Sequence, residues 1–221
     1  MADSELVACL AAARLYVVSG DAPPEIQANV LRDALDGGAD VVQLRNKVAA
    51  PGDLLEAARL VAAHARAREA LFVVNDHLAL AIEVGADGVH LGQDDLAVEA
   101  ARSEAARSRW SGLVGRSTHS LDQALEAQRQ GADYLGVGPV YATPTKPGRS
   151  AVGRELLEEV SGVISIPWFA IGGIDSSNLD DVLAAGAARV AVVRAVCEAP
   201  EPAAAARALL ARLQQPLGAP A

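Results

Sequence analysis

The chain has 221 residues, with 19 Lys and Arg against 28 Asp and Glu, which gives a formal net charge of −9. Such an acidic protein repels nucleic acid and anionic lipid over most of its surface, so neither is an expected partner. Hydrophobic residues make up 51% of the sequence and aromatic residues only 3%. This composition predicts a large core built mainly from Ala, Val and Leu.

Features of the sequence that bear on location favour the cytoplasm. No apolar run approaches the roughly 20 residues that a membrane span needs. The N-terminal segment carries Asp3 and Glu5, where a secretory signal would be basic. Cys9 and Cys197 lie in apolar, helix-like surroundings without metal-ligand spacing, which predicts reduced, buried thiols and neither a disulfide nor a zinc site.

Short β-branched runs alternate along the chain with Ala- and Leu-rich stretches of helical spacing. Nearly continuous apolar runs such as LYVV and LFVV are typical of parallel strands that are covered on both faces. The predicted strands are Leu15–Ser19, Asp40–Leu44, Leu71–Asn75, Gly88–Leu91, Leu113–Arg116, Tyr134–Gly138, Trp168–Ile171 and Arg189–Val193. The predicted helices are Pro24–Asp36, Asp53–Ala67, Leu78–Glu83, Leu96–Arg107, Leu121–Arg129, Arg154–Val160, Ser176–Ala184 and Ala203–Leu213.

A helix-stop-strand pattern recurs four times, as GGADVVQL, VGADGVHL, QGADYLGV and AGAARVAV. Recurrence at this scale indicates a repeated βα unit, and eight such units predict a (β/α)8 TIM barrel. An open doubly wound sheet is the alternative, but the chain lacks the Gly-x-Gly-x-x-Gly sequence expected after its first strand. We therefore expect one domain over residues 1–221, with the barrel at about 14–213, a short N-terminal helix and an Ala/Pro-rich C-terminal tail.

In a TIM barrel the active site lies at the carboxyl ends of the strands, and polar residues of this sequence concentrate there. After the second predicted strand, alternation places Gln43, Arg45 and Lys47 on one side and Leu44 on the other. Two cations and an amide in a barrel mouth indicate a site for an anion and a heterocycle. A solvated strand end is the alternative.

Asp76 and Asp95 follow the third and fourth predicted strands, so they should occupy neighbouring loops. Mg²⁺ takes one or two carboxylates and completes its shell with water and substrate phosphate, which makes this pair a candidate magnesium site. Capping of the following helix is the alternative, and it applies more strongly to Asp95 than to Asp76.

The fifth and sixth strands end in hydroxyl-bearing segments. Ser117 is interpreted as a hydrogen-bond donor to a ligand and Ser120 as a helix cap, because no nucleophile elbow surrounds either serine. The sixth strand leads into the long loop 138–148, which carries Thr143, Thr145 and Lys146. Long loops on the active-site side of a barrel are more often functional than not, although a surface turn is the alternative.

The seventh and eighth strands end in features that suit phosphate. The adjacent glycines Gly172 and Gly173 let backbone amides approach an anion closely. Val193 and Arg194 begin a turn after the eighth strand. Loops seven and eight form the usual phosphate site of this fold.

Together these segments resemble the thiamine-phosphate synthase family. The motifs that carry the resemblance are QLRNK at 43–47, ND at 75–76, ADGVHLGQDD at 86–95, STH at 117–119, GADYLGVGPVYATPTK at 131–146 and IGGI at 171–174. The resemblance implies a Mg²⁺-dependent transferase. It would join 4-amino-2-methyl-5-hydroxymethylpyrimidine diphosphate to 4-methyl-5-hydroxyethylthiazole phosphate and release pyrophosphate by a dissociative displacement that needs no protein nucleophile.

The resemblance also implies a role for each matching position. Those implied to bind the pyrimidine diphosphate are Gln43, Leu44, Arg45, Asn46, Lys47, Asn75, Ser117 and Lys146. Those implied to bind the thiazole phosphate are Thr143, Pro144, Thr145, Gly173, Val193 and Arg194. Asp76 and Asp95 are implied to bind Mg²⁺.

The sequence departs from the family pattern at three places and leaves two rival functions open. His77 and Leu78 stand where the family often has Arg and then Asp, and Arg194 stands where it often has Ser. One rival is a thiazole tautomerase-like isomerase on the same barrel, with His119 suited to proton transfer. The other is a non-catalytic barrel that binds a phosphorylated metabolite.

Overall fold

The structure, a computed structural model, describes residues 2–143 and 150–215. Eight parallel strands close into a barrel in chain order, so that β8 pairs with β1. The strands are β1 Leu15–Val18, β2 Val41–Leu44, β3 Leu71–Asn75, β4 Gly88–Leu91, β5 Leu113–Thr118, β6 Tyr134–Val137, β7 Trp168–Ile171 and β8 Val190–Val192. The (β/α)8 fold predicted from the alternating pattern is confirmed.

Helices surround the barrel. They are α1 Ser4–Ala12, α2 Pro24–Asp36, α3 Leu55–Ala67, α4 Leu78–Val84, α5 Val98–Arg107, α6 Leu121–Arg129, α7 Glu155–Ser161, α8 Leu179–Ala184, α9 Arg194–Cys197 and α10 Pro202–Leu213. Each predicted helix is present with boundaries that shift by a few residues. The largest shift is at α8, which begins at Leu179 instead of Ser176. Before α3, Pro51–Leu54 form a separate 3-10 turn.

The recurring Gly-Ala-Asp sequence acts at the amino ends of the strands. Gly85 ends α4 in the left-handed conformation, with φ of 61°, which glycine adopts without a steric penalty. Two residues later, the Asp87 carboxylate accepts a hydrogen bond from Phe72 N at 2.8 Å. Asp40 accepts from Leu15 N at the first residue of β1, and Asp133 accepts from Val114 N at the second residue of β5. The repeated Asp therefore satisfies an amide at the start of a neighbouring strand.

Two apolar layers position the site. The larger layer lies between strands and helices and includes Leu44, Phe72 and Leu135. The inner layer fills the barrel and contains Tyr16, Tyr134 and Phe169 among its buried residues. Leu10 of α1 belongs to the same inner cluster, so the N-terminal helix covers the end of the barrel opposite the site.

Within the part of the chain that the structure describes, no helix is long and apolar enough to cross a membrane. The Ala/Pro-rich segment after residue 215 and the loop residues 144–149 lie outside the described ranges.

Candidate active site

The carboxyl ends of the eight strands open into one cavity of about 380 Å³. Its aromatic floor is formed by Tyr16, Tyr134 and Phe169, while polar groups line its wall. The predicted site residues that line it are Gln43, Arg45, Lys47, Asn75, Asp76, Ser117, Thr143, Gly173, Val193 and Arg194. The structure therefore brings together side chains that are up to 151 positions apart in the sequence.

A few predicted residues are placed differently. Leu44 is 1% exposed and packs in the layer between strands and helices, as the alternation of a strand requires. Asp95 does not line the cavity itself but contacts a residue that does. Pro144, Thr145 and Lys146 lie outside the described residues.

Asn46 stabilises the β2–α3 loop. Its Oδ1 accepts hydrogen bonds from Val48 N at 3.0 Å and Ala49 N at 2.8 Å. Its Nδ2 donates to Ala22 O and to Gln27 Oε1, both at 3.2 Å. With both side-chain groups used in this way, Asn46 shapes the loop that carries Lys47.

Arg45 is fixed by contacts on both its backbone and its side chain. Arg45 N donates to Ser19 Oγ at 2.8 Å, and Ser19 Oγ donates to Arg45 O at 3.0 Å. Gln27 Nε2 also donates to Arg45 O, at 2.6 Å. The guanidinium pairs with Asp21 at 3.0 Å, and its side chain is only 10% exposed. Sequence reasoning missed Gln27 and Asp21.

A cation and two carboxylates meet at one edge of the cavity. Lys47 Nζ pairs with Asp76 Oδ2, and the Asp76 and Asp95 carboxyl groups are close enough for each to shift the pKa of the other. Asp95 Oδ2 also accepts from Gly92 N at 2.7 Å. α5 begins after Ala97 without a side-chain cap, so helix capping does not account for Asp95.

The backbone at Asp76 directs its side chain into this cluster. Asp76 has φ of 61°, in the left-handed region that few residues other than glycine adopt, although Asp is among those enriched there. Its amide donates to His90 O on the neighbouring strand at 2.9 Å. Strained backbone of this kind costs of order 1 kcal/mol and persists where the surrounding contacts determine it.

The two carboxylates have different proton affinities. Burial raises the pKa of Asp76, and the neighbouring Asp95 raises it further, while Lys47 acts in the opposite direction. Burial alone would raise the pKa of Asp95 too, but Asp76, the hydrogen bond from Gly92 N and the charges of Lys47 and Arg116 lower it overall. Two carboxyl groups that shift each other's pKa are near enough to share a bound cation.

The donor set fits Mg²⁺. Among the described residues no group of three or more His, Cys, Asp or Glu side chains could hold a metal. A metal ion at this edge of the cavity would therefore have Asp76 and Asp95 as its acidic ligands from the described residues. One or two carboxylates, with the remaining positions taken by water and substrate phosphate, is the usual arrangement for this ion.

Two further features of the wall suit ligands. The Asn75 amide nitrogen is buried and has no hydrogen-bond partner among the described residues, and Asn75 lines the cavity. A buried donor without a partner costs free energy that a bound acceptor would recover.

Across the cavity, Gly172 and Gly173 have φ of 104° and 68°, and a Cβ on Gly173 would lie 2.7 Å from Tyr141 Cβ. The close approach explains why glycine stands there.

Comparisons with known proteins agree with this geometry. The sequence model of the family described as "Thiamine monophosphate synthase" matches residues 15–196. The chain is 48% identical over 204 residues to the thiamine-phosphate synthase of Thermus thermophilus, covering 90% of this chain and 97% of that one. The chain belongs to the thiamine monophosphate synthase family.

Other members of the thiamine monophosphate synthase family extend the comparison. The thiamine-phosphate synthase of Thermosynechococcus vestitus is 46% identical over 206 residues, which cover 93% of this chain but only 57% of that protein. This chain thus spans little more than half the length of some curated relatives. A solved structure, thiamine phosphate pyrophosphorylase from Pyrococcus furiosus, superposes with a TM-score of 0.83 at 34% identity and covers 95% of this chain and 100% of its own.

Proposed function

We propose that this chain is a thiamine-phosphate synthase, which transfers the pyrimidinylmethyl group of 4-amino-2-methyl-5-hydroxymethylpyrimidine diphosphate to 4-methyl-5-hydroxyethylthiazole phosphate. Family membership supports the assignment. The observation that carries it is the cluster of Lys47, Asp76 and Asp95 at the edge of a cavity that Arg45 also lines. Such a cluster suits a diphosphate and its metal ion.

The diphosphate end of the first substrate would lie along β2 and β3. Arg45 offers a planar pair of donors and Lys47 a compact charge. Asn75 offers a buried amide nitrogen that has no partner among the described residues. The pyrimidine ring would lie over the aromatic floor between Gln43 and Ser117. Lys146 is expected to add a cation from the loop after β6.

Asp76 and Asp95 would hold Mg²⁺, which when bound supplies positive charge against the growing negative charge of the leaving diphosphate. The contribution of the chain is to fix these carboxylates. Asp95 is held by Gly92 N, and Arg116 donates to Leu96 O at 2.9 Å and Gln93 O at 3.2 Å. The loop that carries Asp95 is thereby attached to β5.

The thiazole phosphate would bind at the opposite side of the mouth. Thr143, Gly173, Val193 and Arg194 line that part of the cavity, and Pro144 and Thr145 are expected to complete it. Exposed Arg194 contributes to lowering the pKa of Asp175, after the larger effects of the Ser177 hydrogen bonds. Its charge is thus close to the cavity wall.

In the proposed reaction, the bond between the pyrimidine methylene carbon and the diphosphate oxygen breaks, and the electron pair leaves with pyrophosphate. The thiazole nitrogen then donates its lone pair to the methylene carbon, and the positive charge passes to the thiazolium ring. Arg45, Lys47 and the metal site would stabilise the separating charges more than the ground state. Holding both rings in line supplies the rest, without a protein nucleophile.

Pyrophosphate release, measured with purified protein while each substrate and Mg²⁺ are omitted in turn, tests the proposal. We expect release only when both substrates and Mg²⁺ are present. Isomerisation of a thiazole phosphate alone, without pyrophosphate release, would favour the tautomerase-like alternative, in which His119 acts on a substrate in the same cavity. Binding of both phosphorylated compounds without turnover under any divalent ion would favour the non-catalytic alternative.

A further inference from the structure

A chain of hydrogen-bonding side chains crosses the interior of the barrel at the floor of the cavity. Gln43 Nε2 donates to Tyr16 Oη at 2.5 Å, and the hydroxyl oxygens of Tyr16 and Tyr134 are 3.1 Å apart. His90 continues the chain, with Nδ1 3.3 Å from Tyr134 Oη and Nε2 2.9 Å from Ser117 Oγ. All five side chains belong to buried residues. This row of hydrogen bonds therefore connects Gln43 of β2 to Ser117 of β5 across the barrel.

Packing fixes the rings of this chain. The Tyr16 and Phe169 rings meet edge to face with centroids 5.2 Å apart, and Tyr134 and Phe169 do so at 6.0 Å. The His90 and Tyr134 rings are 5.5 Å apart. Rings in a densely packed interior cannot turn away without opening a void, so the hydroxyl and imidazole groups hold their relative positions.

With a neutral imidazole at His90, each link has one proton to give, so the row of hydrogen bonds has only two self-consistent directions. Burial raises the pKa of both Tyr16 and Tyr134, which keeps both phenols protonated. If Tyr16 accepts from Gln43, it donates to Tyr134, Tyr134 donates to His90 Nδ1, and His90 Nε2–H donates to Ser117 Oγ. In the opposite direction every donor and acceptor is exchanged, and His90 carries its proton on Nδ1.

The amide of Gln43 selects between the two directions. Its Nε2 faces Tyr16, which makes the chain run from Gln43 to Ser117. Gln43 Oε1 has no partner among the described residues, and the Ser117 hydroxyl, having accepted from His90, keeps its own proton for another acceptor. Because both residues line the cavity, a ligand would meet an acceptor at Gln43 and a donor at Ser117.

We propose that Tyr16, Tyr134 and His90 are positioning residues that fix this acceptor–donor pattern and thereby select an aminopyrimidine over a pyrimidine with an oxo group in place of the amine. The inference rests on the proposed function and deepens it. An amino group donates to Gln43 Oε1, and a ring nitrogen accepts from Ser117. An oxo group would instead place an acceptor against an acceptor, and a site built for one pattern rejects its reverse because buried polar groups are left unpaired.

The closing experiment compares wild type with Tyr134→Phe, which removes only the hydroxyl that joins Tyr16 to His90. Thr118→Val is the matched control, because it removes a buried hydroxyl from the next residue after Ser117, where Thr118 Oγ1 donates to Gly136 O at 3.3 Å outside the chain. Pyrophosphate release gives kcat and KM for each substrate, and for the oxo analogue of the pyrimidine diphosphate. The histidine tautomer is read separately from ¹⁵N chemical shifts of the wild type, with His90 assigned by its shift in Tyr134→Phe.

We expect Tyr134→Phe to raise KM for the pyrimidine diphosphate about 5- to 10-fold and to reduce discrimination against the oxo analogue by a similar factor. KM for the thiazole phosphate should stay at the wild-type value, as should every constant of Thr118→Val. His90 should carry its proton on Nε2. Unchanged KM and discrimination in Tyr134→Phe, or a proton on Nδ1, would overturn the inference. If the wild type releases no pyrophosphate, the proposed function is refuted instead. The tautomer of His90 would still report the direction of the hydrogen bonds between Gln43 and Ser117.

Discussion

Gly115 of β5 lies directly opposite Tyr134 of β6 in the barrel register, and the tyrosine ring occupies the space that a side chain on Gly115 would need. A Cβ atom on Gly115 would lie 2.1 Å from Tyr134 Cζ. Tyr134 is fully buried against Tyr16 and Phe169, so its ring has no free volume to enter. The missing side chain at one position thus allows an aromatic residue at the other to reach the centre of the barrel.

Gly115→Ala should therefore destabilise the protein by about 1–3 kcal/mol, the usual cost of overpacking a dense interior. Gly52→Ala is the matched control, since no atom lies within 4 Å of a Cβ built there. Urea unfolding followed by circular dichroism measures both changes. If the two variants unfold at the same urea concentration as wild type, the Tyr134 ring is not confined as described.

Asp95→Asn should weaken metal binding because it removes one of the two carboxylates that meet at the cavity edge. We expect the half-saturating Mg²⁺ concentration for pyrophosphate release to rise by more than about tenfold, as changes at metal sites commonly cause. Direct Mn²⁺ binding, followed by electron paramagnetic resonance without substrates, should weaken in parallel.

The neighbouring Asp94 gives the control for that prediction. Asp94 is exposed and does not line the cavity, so Asp94→Asn should leave both the Mg²⁺ dependence and the Mn²⁺ affinity at wild-type values. Equal effects of the two substitutions would mean that general surface charge, and not a specific ligand, controls the metal response.

The sequence was sufficient to predict the barrel because its signals are local. Runs such as Leu71–Asn75 are apolar throughout, and the structure makes that run a strand with the same bounds. The strand order then places every carboxyl end at one mouth, which is why Arg45, Asp76 and Ser117 could be assigned to one site before the structure was known.

Contacts between loops could not be predicted in the same way. The proximity of Asp76 to Asp95 depends on the left-handed backbone of Asp76, which no neighbouring residue encodes. Gln27 did leave a signal, because it occupies the buried face of α2 together with Leu31 and Ala34. A polar residue on an apolar face requires partners, but the sequence does not say that these partners are the carbonyls of Gly20 and Arg45.

Gln27→Met tests the hydrogen bonds that Gln27 donates to the carbonyls of Gly20 and Arg45. Methionine fills a similar volume but removes the Gln27 donor from Gly20 O and leaves Arg45 O with Ser19 Oγ as its donor, which should cost about 1–2 kcal/mol of stability. Because Arg45 O is one of these acceptors, KM for the pyrimidine diphosphate should rise more than KM for the thiazole phosphate. Gln130→Met is the control, since Gln130 Nε2 donates only to Glu126 Oε1 on the helix surface. Equal KM changes for the two substrates would contradict a specific role in placing Arg45.

Cys197 should make the protein less stable at high pH. Burial raises the pKa of this thiol to about 11, and its Sγ donates to Val18 O at 3.3 Å. Between pH 9 and 11 the unfolded chain loses the thiol proton while the folded protein keeps it, so the unfolded state binds fewer protons and the free energy of unfolding falls as pH rises. Over that window the loss should reach about 2–3 kcal/mol.

Other groups titrate in the same range, so the effect is isolated by comparing Cys197→Ala with wild type at pH 8, 9, 10 and 11. The difference in unfolding free energy between the two should shift in favour of the variant as pH rises. Cys9 provides the control: the sequence predicted a buried thiol, but Cys9 lies on the exposed face of α1. Cys9→Ala should follow the wild-type curve at every pH. If the unfolding free energies of all three proteins run parallel against pH, the Cys197 thiol ionises as readily in the folded state as in the unfolded chain. Only a thiol that burial keeps neutral can make the curves of wild type and Cys197→Ala diverge.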